Sequence, residues 1–281
     1  MSVGIFLAVL IAAILHAAWN ALVKVSADQL VLLAVLKAGT TVFALASVPF
    51  FEIPPTEAWL HIVISTIIHT GYFLFLVISY RYGDLSHVYP LSRGAAPLIV
   101  AAIATIFLGE VLSLHATLAV LLIAIGIMSL MLTKSADGKW QPKVIAAALT
   151  TASLIAGYTI VDATGARLTG DAHSYILWLN VFNGIPIILI TLFFRRKQIH
   201  TQVGHVWKAG MLSGIVSLLA YWIVLWATTQ APLAMVAALR ETSIIFAVLF
   251  GVLLLRERLD IRRLLSIFVT LSGALLLKIS R

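Results

Sequence analysis

The fold that this sequence predicts is an all-α integral membrane protein: ten transmembrane helices arranged as two inverted five-helix repeats. Three observations predict it. The chain carries more apolar side chains than a soluble core can hide. It divides into ten apolar segments of spanning length. Its second half matches its first at a shift of 147 residues, which carries Arg93 onto Arg240.

Composition comes first. The 281 residues are 62% hydrophobic and only 11% charged, whereas a soluble domain is about 45–50% apolar and about 25% charged. Surface area does not shrink fast enough with size to bury that excess in water, so lipid is the solvent for much of the chain. The formal net charge is +8, but the basic residues are scattered between apolar segments and form no patch or arm. That excludes nucleic acid as a partner and reads as a topology signal. Cysteine is absent, which excludes disulfides and thiolate metal sites. Residues Ser2 to Leu22 lack a basic leading region, and their apolar stretch is too long for a signal peptide, so they are expected to stay as the first span.

A helix needs about 20 mostly apolar residues to cross the hydrocarbon layer. The first-half segments run from Ser2 to Leu22, Leu30 to Phe50, Ala58 to Tyr80, Leu85 to Leu108 and Leu114 to Leu132. Those of the second half run from Val144 to Ala166, Ser174 to Phe194, Val206 to Thr228, Pro232 to Leu255 and Leu264 to Ile279. The loops between them are too short to form a domain. No phosphate-binding G-x-x-x-x-G-K-[ST] loop is present, so ATP is not the expected energy source.

The shift of 147 also brings Glu110 onto Glu257, Leu112 onto Leu259 and Gly126 onto Gly273. Earlier in each half, Trp19 aligns better with Tyr158. The units are therefore 1–134 and 143–281. An odd number of spans per unit forces the two into opposite orientations, an arrangement that in transporters places the substrate at the interface between repeats. Lys24, Arg81, Lys134, Lys139, Lys143, Arg195, Arg196, Lys197, Arg256, Arg258, Arg262 and Arg263 all fall in odd-numbered loops. By the positive-inside rule these loops are cytoplasmic and both termini lie outside. The expected location is the plasma membrane, the inner membrane in a bacterium.

Several short strings, in order, carry a family likeness. They are His16-Ala17-Ala18-Trp19-Asn20 with Lys24 in the first span, and Leu108-Gly109-Glu110-Val111-Leu112 after the fourth. A degenerate copy of the latter follows the ninth span, and Tyr158 with Asp162 and Gly165 lies in the sixth. In order, spacing and duplication the chain resembles the EamA family of the drug/metabolite transporter superfamily over nearly its whole length, as one repeat in 1–134 and another in 143–281. The resemblance implies transport of a small metabolite, often export, without ATP, through a central cavity lined by both repeats. Members are often drawn with cytoplasmic termini, opposite to the charge count here.

An ionisable side chain inside a span is costly, about 2.5–3.5 kcal/mol on insertion scales, so each one asks for a reason. Lys37, Arg93, Asp162, Arg240 and Glu241 are such residues. Arg93 lies between Pro90 and Pro97 with Gly94 beside it. Proline removes a backbone donor, so a broken fourth helix is expected here. Arg93 would either contact an anionic group or bind carbonyls freed by the kink. For Arg240 a structural network with Glu241 is the expectation. Because neighbours on a helix point about 100° apart, Glu241 is expected to meet another helix, through Arg93 or Lys37. An acid removed from water inside a span can hold and release a proton, which makes Asp162 and Glu241 the proton-coupling candidates. The alternative for Asp162 is a solvated place near the end of its helix.

His16, Asn20 and Lys24 form a polar stripe on the first span beside Trp19, which lipid cannot satisfy. Lys24 is close enough to the end to snorkel. Further substrate-binding candidates are His69, Tyr72 and Tyr89, then Tyr158, Asn180 and Asn183, then Tyr221 and Trp222. Together with Trp19, Asn20, Lys37, Arg93, Arg240 and Glu241 they make the expected cavity wall. Glu110 and Glu257 precede Ser113 and Asp260, which suit the caps of the following helices, so both acids read as structural. His61 and His69 have no metal-site spacing. No metal, cofactor or catalytic residue is expected.

The function these features favour is secondary transport of a small polar or amphipathic metabolite, with export the expected direction. It would work by alternating access, with coupling to a proton or ion gradient, as a monomer or homodimer. Three buried cations against two acids lean towards anionic or zwitterionic cargo. The alternative is an intramembrane lipid-modifying enzyme or a subunit of a lipid-carrier flippase. The enzyme reading lacks a G-x-S-x-G nucleophile motif, a cysteine and a metal cluster.

Overall fold

The computed structural model describes the chain except residues 25, 27, 83, 84, 131–141, 197, 198, 256–260 and 281; the side chains of 24, 76–89, 142–144, 200, 251 and 253–255 are also left undescribed. The elements are α1 (Val3–Lys24), α2 (Gln29–Ser47), α3 (Thr56–Tyr82), α4 (Leu85–Phe107), α5 (Leu114–Ser129) and α6 (Pro142–Leu168). They continue with α7 (Ala172–Arg195), α8 (Ile199–Gln230), α9 (Leu233–Glu241), α10 (Ser243–Leu255) and α11 (Ile261–Ile279). Among the described residues there is no strand. Among the described residues, eight helical segments are long and apolar enough to cross a membrane, one of them running through α9 into α10. Helix α5 is apolar but shorter, and α11 carries Arg262, Arg263 and Lys278. The molecule is an integral, multi-pass membrane protein. Val111 is 92% exposed, Phe50 84% and Phe193 77%, an apolar exterior that only lipid tolerates in such quantity.

The helix starts follow local chemistry. Asp28 caps α2 by accepting from the backbone N–H groups of Leu30 and Val31, and Asp171 caps α7 by accepting from His173. The two aspartates are 143 residues apart and begin corresponding helices. Ser113 caps α5, accepting from Ala116, as its position suggested. Glu257 and Asp260 lie outside the described residues.

The packed pairs repeat in the same way. Helix α1 lies on α8 as α6 lies on α3, and α1 meets α9 and α10 as α6 meets α4. Two pairs, α2 with α7 and α5 with α11, join counterparts to each other. Exchanging every helix for its counterpart maps these contacts onto themselves, which is the pattern of an internal two-fold.

At both self-paired contacts, glycine lets backbones touch. A Cβ on Gly126 would stand 2.8 Å from the Thr270 nitrogen, and one on Gly273 would stand 2.9 Å from the Ala119 oxygen. Ser266 donates to the Gly126 carbonyl. Ala119 and Gly126, shifted by 147, are Ser266 and Gly273, so the contact is the same one seen from either side. In the other pair, Thr41 donates to the Asn180 carbonyl at 3.1 Å and Gly184 lies against the Lys37 carbonyl. Small residues that admit close backbone approach are how helices associate where lipid removes the hydrophobic drive.

The expected break in the fourth span is not there. Helix α4 runs unbroken through Pro90 and Pro97. Gly94 packs against Met128 and the Ala124 carbonyl, so α5 supports the segment between the two prolines. The break falls instead in the ninth span, at Thr242, between α9 and α10. The Thr242 hydroxyl donates to the Leu239 carbonyl at 2.6 Å, and its N–H turns back to the same carbonyl. A threonine that takes an upstream carbonyl competes with the helix ladder, and here, as the C-cap, it ends α9 at Glu241.

Replacing Gly126 by alanine should therefore lower the thermal midpoint of the detergent-solubilised protein. Overpacking of this kind costs about 1–3 kcal/mol. Gly4→Ala, with nothing within 4 Å of the new methyl, should leave the midpoint unchanged. Equal midpoints for the two variants would show that the α5–α11 contact is looser than described.

Candidate functional site

Two buried anions organise the core. Glu241, 1% exposed at the end of α9, receives both arginines. Arg93 Nη1 donates to its Oε2 at 3.0 Å and Oε1 at 3.3 Å. Arg240 Nε and Nη2 donate to Oε1 at 3.1 and 2.9 Å. The structural network expected between Arg240 and Glu241 is present. The helix ends at Glu241, and the long Arg240 side chain folds back across its neighbour's carboxylate. The expectation that Glu241 meets Arg93 holds. Arg93 Nη2 also contacts His16 Nε2. A guanidinium only donates, so His16 presents Nε2 as an acceptor. Arg240 Nη2 reaches the Thr159 hydroxyl at 3.5 Å, and its guanidinium lies 5.9 Å from the Tyr158 ring centre. One carboxylate thereby ties α1, α4, α6 and α9 together.

Asp162 is the second anion. It is 0% exposed, so the solvated alternative is excluded. Tyr175 donates to its Oδ1 at 3.0 Å, His69 Nε2 lies 3.1 Å from its Oδ2, and the Tyr221 hydroxyl also donates to Oδ2. These partners come from α7, α3 and α8. A buried carboxylate is tolerable when hydrogen-bonded in this way. Tyr158, one helical turn before Asp162, joins the two groups. Its ring stacks on His69 at 4.0 Å and meets Tyr72 at 5.6 Å and Tyr221 at 6.3 Å. Lys37 is 8% exposed, with its ammonium 4.9 Å from the Phe73 ring centre.

Of the sequence candidates, His69, Tyr72, Arg93, Tyr158, Asp162, Tyr221, Arg240 and Glu241 share this constellation, and Lys37 borders it through Phe73. Trp19 is set back from it, edge-on to His16 at 5.2 Å. Asn20 donates to the His16 carbonyl, and Asn180 to the Ile176 carbonyl. Both side chains are bound to their own helix. Asn183 is buried, and among the described residues its Oδ1 has no hydrogen-bond partner. Trp222 points elsewhere, donating to His173 Nδ1 at 2.7 Å. Tyr89 lies in α4, but its side chain is outside the described set, as is that of Lys24. Among the described residues no group of His, Asp and Glu could hold a metal ion.

Sequence reading missed Tyr175 as a partner of Asp162. Its signal was Gly165, whose missing side chain leaves room for the Tyr175 ring. His16 was recognised only as part of a stripe. Glu110 was read as structural at its own corner, and its partners are more distant. It accepts from the Leu233 N–H at 2.8 Å, which caps α9, and from Arg167 Nη2 at 2.8 Å. Arg167 in turn donates to the Thr228 carbonyl at the end of α8.

Glu241→Gln removes the carboxylate that both buried guanidiniums share. Breaking a buried pair costs about 3–5 kcal/mol because the surviving charge is stranded. This variant should lose thermal stability, and more of it than Arg240→Gln, which leaves Glu241 with Arg93. Thermal unfolding in detergent ranks the two; the reverse order would contradict the shared-carboxylate geometry.

The comparisons with known proteins agree with this architecture. No curated protein matches the chain. Twenty-eight chains of solved structures match. One of these is a crystal structure with a TM-score of 0.76 at 16% sequence identity, over 98% of this chain and 95% of the other; at that identity the likeness concerns the fold alone. The sequence model of the EamA-like transporter family matches twice, at residues 2–132 and again at 142–279. Because these two matches take in nearly the whole chain, the protein belongs to the EamA-like transporter family.

Proposed function

We propose that the protein is a secondary transporter that moves a small polar or amphipathic metabolite outward by alternating access. The observation that carries this reading is the buried constellation itself. Glu241, Arg93, Arg240, Asp162 and Lys37 meet where helices of both halves converge, far costlier than a fold needs for stability. Intramembrane ionisable residues of this kind mark substrate and proton pathways. The proposed frame is ten spans in two inverted units, 1–134 and 143–281, working as a monomer or homodimer. One unit would rock against the other around this site.

The break at Thr242 supports the reading. It ends α9 beside its two charged residues, and interrupted helices at mid-membrane depth are what transporters use to build sites. Helix α9 is only nine residues long. Its N-terminus is held by Glu110 and its C-terminus carries Arg240 and Glu241, so a shift at one end moves the other.

Asp162 is the proposed proton carrier. It is held by donors from three other helices, and a change in its protonation alters what His69, Tyr175 and Tyr221 can donate to. In proteoliposomes, Asp162→Asn should abolish metabolite accumulation driven by a pH gradient while sparing exchange of labelled for unlabelled cargo. Gradient-driven transport at the wild-type rate would remove Asp162 from the coupling step.

The proposed orientation places the odd-numbered loops in the cytoplasm and the termini outside the inner membrane. The natural absence of cysteine makes the check direct. A single cysteine at Ser2 should react with a membrane-impermeant maleimide in intact cells, and one at Ser135 should react only after lysis. The opposite pattern would invert the topology.

A further inference from the structure

Resting on that transport reading, we propose that Lys37 is the anchor for the cargo, and that the cargo class is small organic acids bearing one carboxylate. The case is one of charge accounting within the buried core. Lys37, Arg93 and Arg240 are cations; Glu241 and Asp162 are the acids they share the core with. Both oxygens of Glu241 are engaged by the two arginines. Both oxygens of Asp162 are engaged by His69, Tyr175 and Tyr221. The other described ion pairs, Asp28 with Arg195 and Glu110 with Arg167, join helix ends. Lys37 is more than nine-tenths buried, yet among the described residues it has no hydrogen bond and no carboxylate within ion-pair distance. Its ammonium lies over the face of Phe73.

A cation held over an aromatic face is stabilised only modestly, and an ammonium out of water calls for an anion. The acid that acts on it electrostatically, Asp162, stands beyond ion-pair distance with both oxygens already engaged, so a ligand is the natural source of a direct partner. The position is also built for precision. Thr40 donates to the Lys37 carbonyl at 3.0 Å, Thr41 ties the next turn to Asn180, and Gly184 lets α7 close on the Lys37 backbone. The Lys37 stem therefore starts from a fixed point in the α2–α7 contact. Its head lies beside the ring cluster of Phe73, Tyr72 and His69, which offers an apolar body somewhere to pack. A compact ammonium with three donors suits a single carboxylate.

The test is thermal unfolding of the full-length protein in detergent with matched probes: hexanoate, hexanamide and hexylammonium, then phenylacetate, phenylacetamide and phenethylammonium. A ligand bound only by the folded state raises the midpoint. At least one acid should raise the wild-type midpoint while its amide and amine do not, and chloride at equal concentration should have no effect. Lys37→Met should weaken that acid by about tenfold or more, a loss of about 1.4 kcal/mol, and Lys37→Arg should largely restore it. The acid-against-amide comparison needs only the wild type, so it decides the cargo class even if Lys37→Met does not fold. Binding by amides or amines alone, or equal binding of the acid by Lys37→Met, would overturn the anchor while leaving transport intact, as flux of the bound compound in proteoliposomes would show. Absence of both binding and flux for every probe would overturn the transport reading together with the anchor.

Discussion

Glu241 offers two oxygens to two guanidiniums in a place lipid and protein keep dry, and most of the central geometry depends on that contact. A guanidinium keeps its charge when buried, and the desolvation cost of an ion exceeds what ordinary packing returns, so each arginine calls for this carboxylate. Arg93 brings α4 and, through His16, α1. Arg240 brings α6 through Thr159 and the Tyr158 ring. The contact sits at the last turn of α9, just before the break at Thr242.

The second anion is built differently. Asp162 faces no permanent cation within ion-pair distance among the described residues; two phenols and an imidazole surround it. Phenols and imidazoles can rearrange their protons where guanidiniums cannot. One carboxylate is thus a fixed strut and the other an adjustable one, with Tyr158 between them. Helix α6 carries both Tyr158 and Asp162, one turn apart, so any tilt of α6 acts on both groups at once. Glycine makes this convergence attainable: Gly126, Gly273 and Gly184 let the outer helix pairs close tightly enough to hold the polar centre.

The all-helical, membrane-embedded class was legible in composition, because the cost of exposing apolar surface to water is a property of each residue type by itself. The two-fold repetition was legible too. Arg93 with Arg240 and Gly126 with Gly273 stand at equal spacing, and a duplicated helix must repeat its packing glycines. Most buried charges were legible for the same reason: Lys37, Arg93, Asp162, Arg240 and Glu241 are conspicuous inside apolar runs whatever surrounds them. The prolines misled, since Pro90 and Pro97 predict a break only if nothing supports the helix, and α5 supports it through Gly94.

What the chain alone determined, then, is which residues would be expensive to bury and how often the pattern recurs. Tertiary structure decided how each expense was met. It gave Glu241 both arginines, surrounded Asp162 with Tyr175, Tyr221 and His69, turned Trp222 away to His173, and left Lys37 against Phe73. Burial cost is a one-body quantity that can be read along a line of letters. Pairing is a two-body quantity between residues as far apart as Arg93 and Glu241, and it exists only once the helices fix a distance.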